Sequence, residues 1–109
     1  MLLDSLFGNE TAEKTLLYLS TYGDGYALKI ARVFDLPVSQ VQRQLLRFER
    51  AGVLVSQLQG RTRVFLWNPR YLFREELQAI LKKALRFLPE TTRERYFMSR
   101  TRPRRTGKP

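Results

Sequence analysis

The chain has 109 residues, 43% of them hydrophobic, and a formal net charge of +10; it suits one domain with a modest core and favours a polyanionic partner. It contains no cysteine and no histidine, which excludes disulfides, zinc fingers, thiol redox chemistry and histidine-based acid–base catalysis together. No apolar run approaches bilayer length and the opening MLLDSLFGNE has no basic leader, so the expectation is a soluble, cytoplasmic protein with no membrane partner.

Residues 2–7 (LLDSLF) read as a brief helical turn that Gly8 breaks. Asn9 suits the N-cap of a helix over about 10–21, with Glu10 and Glu13 in its first turn and Ala12, Leu16, Leu17 and Leu19 inward. Residues 21–25 (TYGDG) read as a loop; its glycines make no phosphate loop, since no GK[ST] follows. A second helix is expected over about 26–34, with Ala27, Ile30, Ala31 and Phe34 inward. Asp35-Leu36-Pro37 ends it, because a proline drives the preceding residue out of the helical region. Pro37 then opens a third helix that runs to about Ala51, with Gly52 where a left-handed residue is wanted.

That third helix has two unlike faces. Val38, Val41, Leu45 and Phe48 recur at spacings of three and four and predict a buried stripe. Ser39, Arg43, Arg47 and Arg50 fall opposite, with Gln40 and Leu46 on the flanks. Beyond Gly52, residues 53–58 and 63–67 are β-rich and flank Gln59-Gly60-Arg61-Thr62, a hairpin with a basic tip that Asn68-Pro69 ends. A final helix is expected over about 71–88, with Phe73, Leu77, Ile80, Leu81, Ala84, Leu85 and Leu88 on its apolar face. Pro89 stops it, so the domain reads as residues 1–90. Residues 91–109 read as a basic, disordered tail.

Charge is unevenly spread. Residues 1–52 hold six Lys/Arg against six Asp/Glu, residues 53–90 seven against three, and residues 91–109 seven against one. The neutral first half means that the third helix can read a surface, while attraction to a polyanion must come from the hairpin and the tail.

The expected fold is mainly α with a small β-hairpin, an α+β chain. Helix–helix–turn–helix–hairpin–helix is the order of a winged helix-turn-helix with an additional C-terminal helix. In such a unit the third helix enters the major groove and the basic hairpin reaches the minor groove or the backbone. Ser39, Gln40, Gln42, Arg43 and Arg47 are the candidate contacts on the helix, and Arg61, Thr62 and Arg63 those on the wing. The run LPVSQVQRQLLRFERAGVL resembles the recognition helix and following strand of ArsR-type winged-helix regulators, and the resemblance continues through Gly60 to Asn68-Pro69. SLFGNETAEKTLLYLS is similar to the opening helix of winged-helix domains found ahead of minimal nucleotidyltransferases. Together these cover about residues 5–88. They imply a prokaryotic transcriptional regulator that binds double-stranded DNA. ArsR-type metal sensors bind metal through Cys and His, which this sequence lacks, so no metal or cofactor is expected.

Rival readings differ in partner. One is a winged-helix protein-interaction module for a nucleotidyltransferase or another protein, without base reading. Another is non-specific nucleic-acid binding through the tail. The surplus apolar residues of 71–88, with Leu2, Leu3, Leu6 and Phe7, point to a homodimer. Catalysis is not expected, since the adjacent carboxylates Glu75 and Glu76 diverge by about 100° on a helix.

Overall fold

A short helix, α1 (Asp4–Phe7), leads through Gly8 into α2 (Glu10–Tyr22), which the other elements pack around. The Asn9 side chain starts α2 by accepting the Ala12 amide at 2.7 Å, one of the donors that a helix start leaves without a partner. Ala12, Glu13 and every residue from Thr15 to Leu19 are buried. A helix enclosed on nearly every side has no clean one-sided stripe to display. Burial of Leu16, Leu17 and Leu19 contributes on the order of 1.5–3 kcal/mol each.

This computed structural model describes residues 1–97. Among them are six helices and a three-stranded antiparallel sheet, an α+β arrangement. The third strand is a departure from the expected hairpin. Asp24–Gly25 forms β1 instead of a loop, and it pairs with β3 (Thr62–Trp67), whose other neighbour is β2 (Leu54–Gln59). Asp24 lies opposite Leu66 and Gly25 opposite Phe65. A strand of two residues carries no alternation, so nothing in the sequence marks it. Gly25 is there for space: a Cβ would sit 2.8 Å from the Tyr18 ring and 3.2 Å from Ile30 Cδ1.

Helix α3 (Ala27–Phe34) buries Ile30, Ala31 and Phe34, as its periodicity predicts. Asp35 closes it at φ 56°, a left-handed seat that a short polar side chain tolerates. The Leu36 amide reaches back to the Ala31 carbonyl at 2.9 Å. Pro37, in extended conformation, then caps α4 (Val38–Arg50). At its far end the Val53 amide bonds the Phe48 carbonyl and the Gly52 amide bonds the Glu49 carbonyl, a Schellman closure. α4 packs against α2 and α3. In the hairpin, Gly60 alone of the two loop residues has a positive φ, 65°, the pattern of a type II′ turn. At the opposite end of β3, the Trp67 indole N–H donates to the Leu19 carbonyl at 3.1 Å and ties the sheet to α2.

Helix α5 covers Arg74–Phe87 and packs against α2 through Leu81 and Ala84. It starts three residues later than its apolar pattern suggests, because Asn68 builds a turn first. The Asn68 side chain accepts the Arg70 amide and donates to the Gly52 carbonyl, and its own carbonyl takes the Tyr71 amide. Phe73 and Ile80, expected inward, are exposed.

The boundary at residue 90 also moves. Pro89 opens a further helix, α6 (Glu90–Tyr96), and Phe97 behind it is buried. The Tyr22 hydroxyl donates to the Tyr96 carbonyl at 2.8 Å, while the Tyr96 and Phe97 rings lie 4.9 and 5.8 Å from that of Phe34. The aromatic pair Tyr96-Phe97, standing in an Arg/Thr-rich stretch, supplies the anchor. The rest of the expected tail, 98–109, lies outside the described residues.

Candidate nucleic-acid interface

The turn at Asp35-Leu36-Pro37 aims α4 so that Val41, Gln44, Leu45 and Phe48 face the core. Two of these facts correct the predicted stripe. Val38, the first residue of α4, is 39% exposed, because it borders the open groove between the helix and the hairpin tip. Gln44 is buried at 8% exposure, and its Oε1 has no partner. Its spacing of three from Val41 and four from Phe48 was the available signal.

Ser39, Gln40, Gln42, Arg43, Arg47 and Arg50 are all exposed on α4. They do not form one surface. Gln42 and Val38 line a groove of about 340 Å³ whose other wall is the hairpin tip, Arg61, Thr62 and Arg63. Tyr26 and Leu28, at the start of α3, complete it. Gln40 and Arg43 belong to a smaller hollow on the other flank of α4, beside Asn9 and Thr11 at the start of α2. There the Thr11 hydroxyl donates to the Gln40 side-chain carbonyl at 3.5 Å.

Arg47 is turned away from both. Its guanidinium donates to the Phe7 carbonyl at 2.8 Å, closing the end of α1, and lies over the Phe48 ring. Arg63 is held by a chain of polar contacts: its Nη1 donates to Ser56 Oγ at 3.0 Å, and Ser56 donates to Glu49 Oε2 at 2.5 Å. Ser56 lies diagonally across the hairpin from Arg63, two positions before Leu58, which is paired with Arg63. This relay joins the C-terminal end of α4 to the wing. Sequence reasoning missed it, although the strand register could have exposed the Ser56–Arg63 diagonal. Among the described residues Arg43, Arg50 and Arg61 form no ion pair, so their charges face no carboxylate.

The acidic residues of α2 serve another purpose. Glu13 is fully buried, and its Oε2 accepts the amides of Leu2 and Leu3 at 2.8 Å each, fastening the N-terminal segment to α2. The hydrogen bond from Lys14 holds the Glu10 carboxyl below its ordinary value, aided by the N-terminal amine. Burial pushes the Tyr18 hydroxyl up to about 12, with Tyr22, Asp24 and Tyr26 adding to the effect. Among the described residues there is no group of three or more acidic side chains placed to hold a metal, and no helix long and apolar enough to cross a membrane.

Set against known proteins, the chain matches no family model, no curated protein and no solved structure.

Proposed function

We propose that this chain is a winged helix-turn-helix unit that binds double-stranded DNA as a transcriptional regulator, α4 reading the major groove and the β2–β3 hairpin gripping the neighbouring backbone or minor groove. One observation carries the reading: the outer face of α4 at Gln42 and the basic hairpin tip at Arg61, Thr62 and Arg63 are the two walls of a single groove. A duplex laid along that groove meets hydrogen-bonding side chains on one side and guanidinium groups on the other. Base edges take the first kind and phosphates the second. The element order and the strand order β1-β3-β2, with the hairpin directly after α4, support the winged form. Kinship with ArsR-type regulators is part of this proposal and rests on the run from Leu36 to Leu54, continued through Gly60 to Asn68-Pro69.

Arg61 and Arg63 have the holding role. Arg63 is pre-oriented by Ser56 and Glu49, which lowers the entropy lost when it meets a phosphate. Gln42 on the groove wall, with Ser39 and Arg43 exposed on the outer face of α4, has the reading role, while Gln40 is held by Thr11 in the hollow beside α2. Arg47, engaged with Phe7, supports the helix and is not among them.

The test is a titration of duplex DNA at several salt concentrations with the intact chain, Arg61→Ala/Arg63→Ala, Arg43→Ala and a chain ending at Phe97. The wing variant is expected to bind more weakly on every sequence, with the salt slope reduced by about one per lost phosphate contact. Arg43→Ala is expected to lose about 1–3 kcal/mol of discrimination at one position of the site. Binding that vanishes on truncation yet ignores both substitutions overturns the proposal in favour of a non-specific tail. A second reading, a protein-docking module, is favoured by the exposed apolar side chains of Leu28 and Val38 in the same groove. It prevails if no version binds any duplex, including that of its own promoter region.

A further inference from the structure

Two side chains of α4, Val38 and Gln42, border the groove shared with the hairpin tip. They stand four residues apart, so they lie on one face of the helix at successive turns. Gln40 is engaged by Thr11 and Gln44 is buried, whereas the Gln42 amide is exposed and, among the described residues, hydrogen-bonded to none. Val38 and Leu28, 39% and 42% exposed, set apolar surface beside that amide. A phosphate would take the donor of the amide alone and leave its acceptor, Val38 and Leu28 without a match.

Base edges differ in what they offer such a surface. In the major groove adenine shows an acceptor, N7, beside a donor, N6, while guanine shows two acceptors. An amide side chain carries one acceptor and one donor, so it complements adenine; against guanine its oxygen meets another oxygen. Guanine is served by a guanidinium, and no guanidinium of α4 borders this groove. Arg43 opens onto the other flank and Arg47 bonds Phe7. Of the four bases only thymine adds a methyl group, the one feature of the major groove that an apolar side chain matches.

We propose that the Val38–Gln42 face of α4 selects adenine–thymine pairs, the Gln42 amide bonding N6 and N7 of an adenine and Val38, with Leu28 beside it, packing on a thymine methyl. Four residues of helix rise about 6 Å, less than two base-pair steps of about 3.4 Å. The two contacts therefore fall on pairs that are adjacent or next but one. This selectivity rests on the DNA-binding reading given above.

The experiment enriches random-sequence duplexes on the intact chain and remakes the recovered site with single analogues. Deoxyuridine replaces each thymine in turn, removing only its methyl group, and 7-deazaadenine replaces each adenine, removing only the N7 acceptor. Wild type, Val38→Ala and Gln42→Ala are titrated with each duplex, with circular dichroism to show that both variants fold. At one position deoxyuridine is expected to weaken wild type about fourfold, the loss of one buried methyl, and to leave Val38→Ala unaffected. At one nearby position 7-deazaadenine is expected to weaken wild type roughly tenfold and to leave Gln42→Ala unaffected. An enriched site on which wild type ignores both analogues overturns the selectivity and spares the DNA reading. So does a Val38→Ala or Gln42→Ala variant as sensitive to its analogue as wild type. A pool that shows no enrichment overturns both together.

Discussion

Helices α4 and α5 are nearly equal in length, 13 and 14 residues, and both lay one face on α2. They differ in what they leave uncovered. α4 buries Val41, Leu45 and Phe48 and presents Ser39, Gln42, Arg43 and Arg50 to solvent. α5 buries Leu81 and Ala84 and still presents Phe73, Ile80 and Phe87. The inner faces are alike because a core asks only for apolar volume at the right spacing. The outer faces differ in chemistry: hydrogen-bonding and charged side chains on α4, large apolar ones on α5.

The comparison is most exposed to failure at the core. Leu45→Ala and Leu81→Ala, both at fully buried positions, are expected to cost about 2–5 kcal/mol each in urea denaturation. Phe87→Ala, at an exposed position, is expected to cost no more than about 0.5 kcal/mol. A core-sized loss from Phe87→Ala would remove the distinction between the two faces of α5.

The floor shared by the two helices can be tested with pH. Tyr18 on α2 has its hydroxyl raised from 10.0 to about 12 by burial. The unfolded chain therefore ionises first. Stability is fully present below pH 10 and is lost as pH rises from there through about 12, at up to about 1.4 kcal/mol per pH unit. Tyr18→Phe is expected to flatten this limb of the stability profile. Since α2 carries both helices, wild-type α4 and α5 should be lost in one transition.

Smaller effects sharpen the α4 side. Gln44→Leu replaces a buried amide whose Oε1 lacks a partner, and a gain of roughly 1 kcal/mol in melting experiments is expected. Ser56→Ala is expected to leave stability within about 0.5 kcal/mol while weakening DNA binding less than Arg63→Ala does. Equal loss from both variants would mean that the relay, and not the guanidinium, makes the contact.

Much of the scaffold was legible because it follows periodicity and punctuation. Asn9, Pro37 and Gly52 mark helix ends that the structure moves by one residue at most, and Gly60 marks the hairpin turn. What escaped depends on partners remote in sequence. β1 exists only because Phe65 and Leu66 pair with it, and α6 holds because Tyr22 and Phe34, over sixty residues earlier, receive Tyr96 and Phe97. The candidate site escaped in the same way. Spacing put Arg47 on the outer face with Arg43, but only the position of α1 explains why its guanidinium turns to Phe7. Spacing does put Gln42 and Gln40 about 200° apart around the helix, but the hairpin and the start of α2, which make the hollows they open onto, come from elsewhere in the chain.

The indole of Trp67 offers a spectroscopic consequence of its bond to the Leu19 carbonyl. It is the one tryptophan of the chain, half-buried where the sheet meets α2. Five residue steps along β3, about 17 Å, separate it from the hairpin tip. Its emission therefore follows the docking of sheet on α2 and is insulated from events at Arg61. A variant that loses its ligand with emission unchanged has lost an interface; one whose emission shifts to the red has lost the fold. The molecule carries its own fluorescent control.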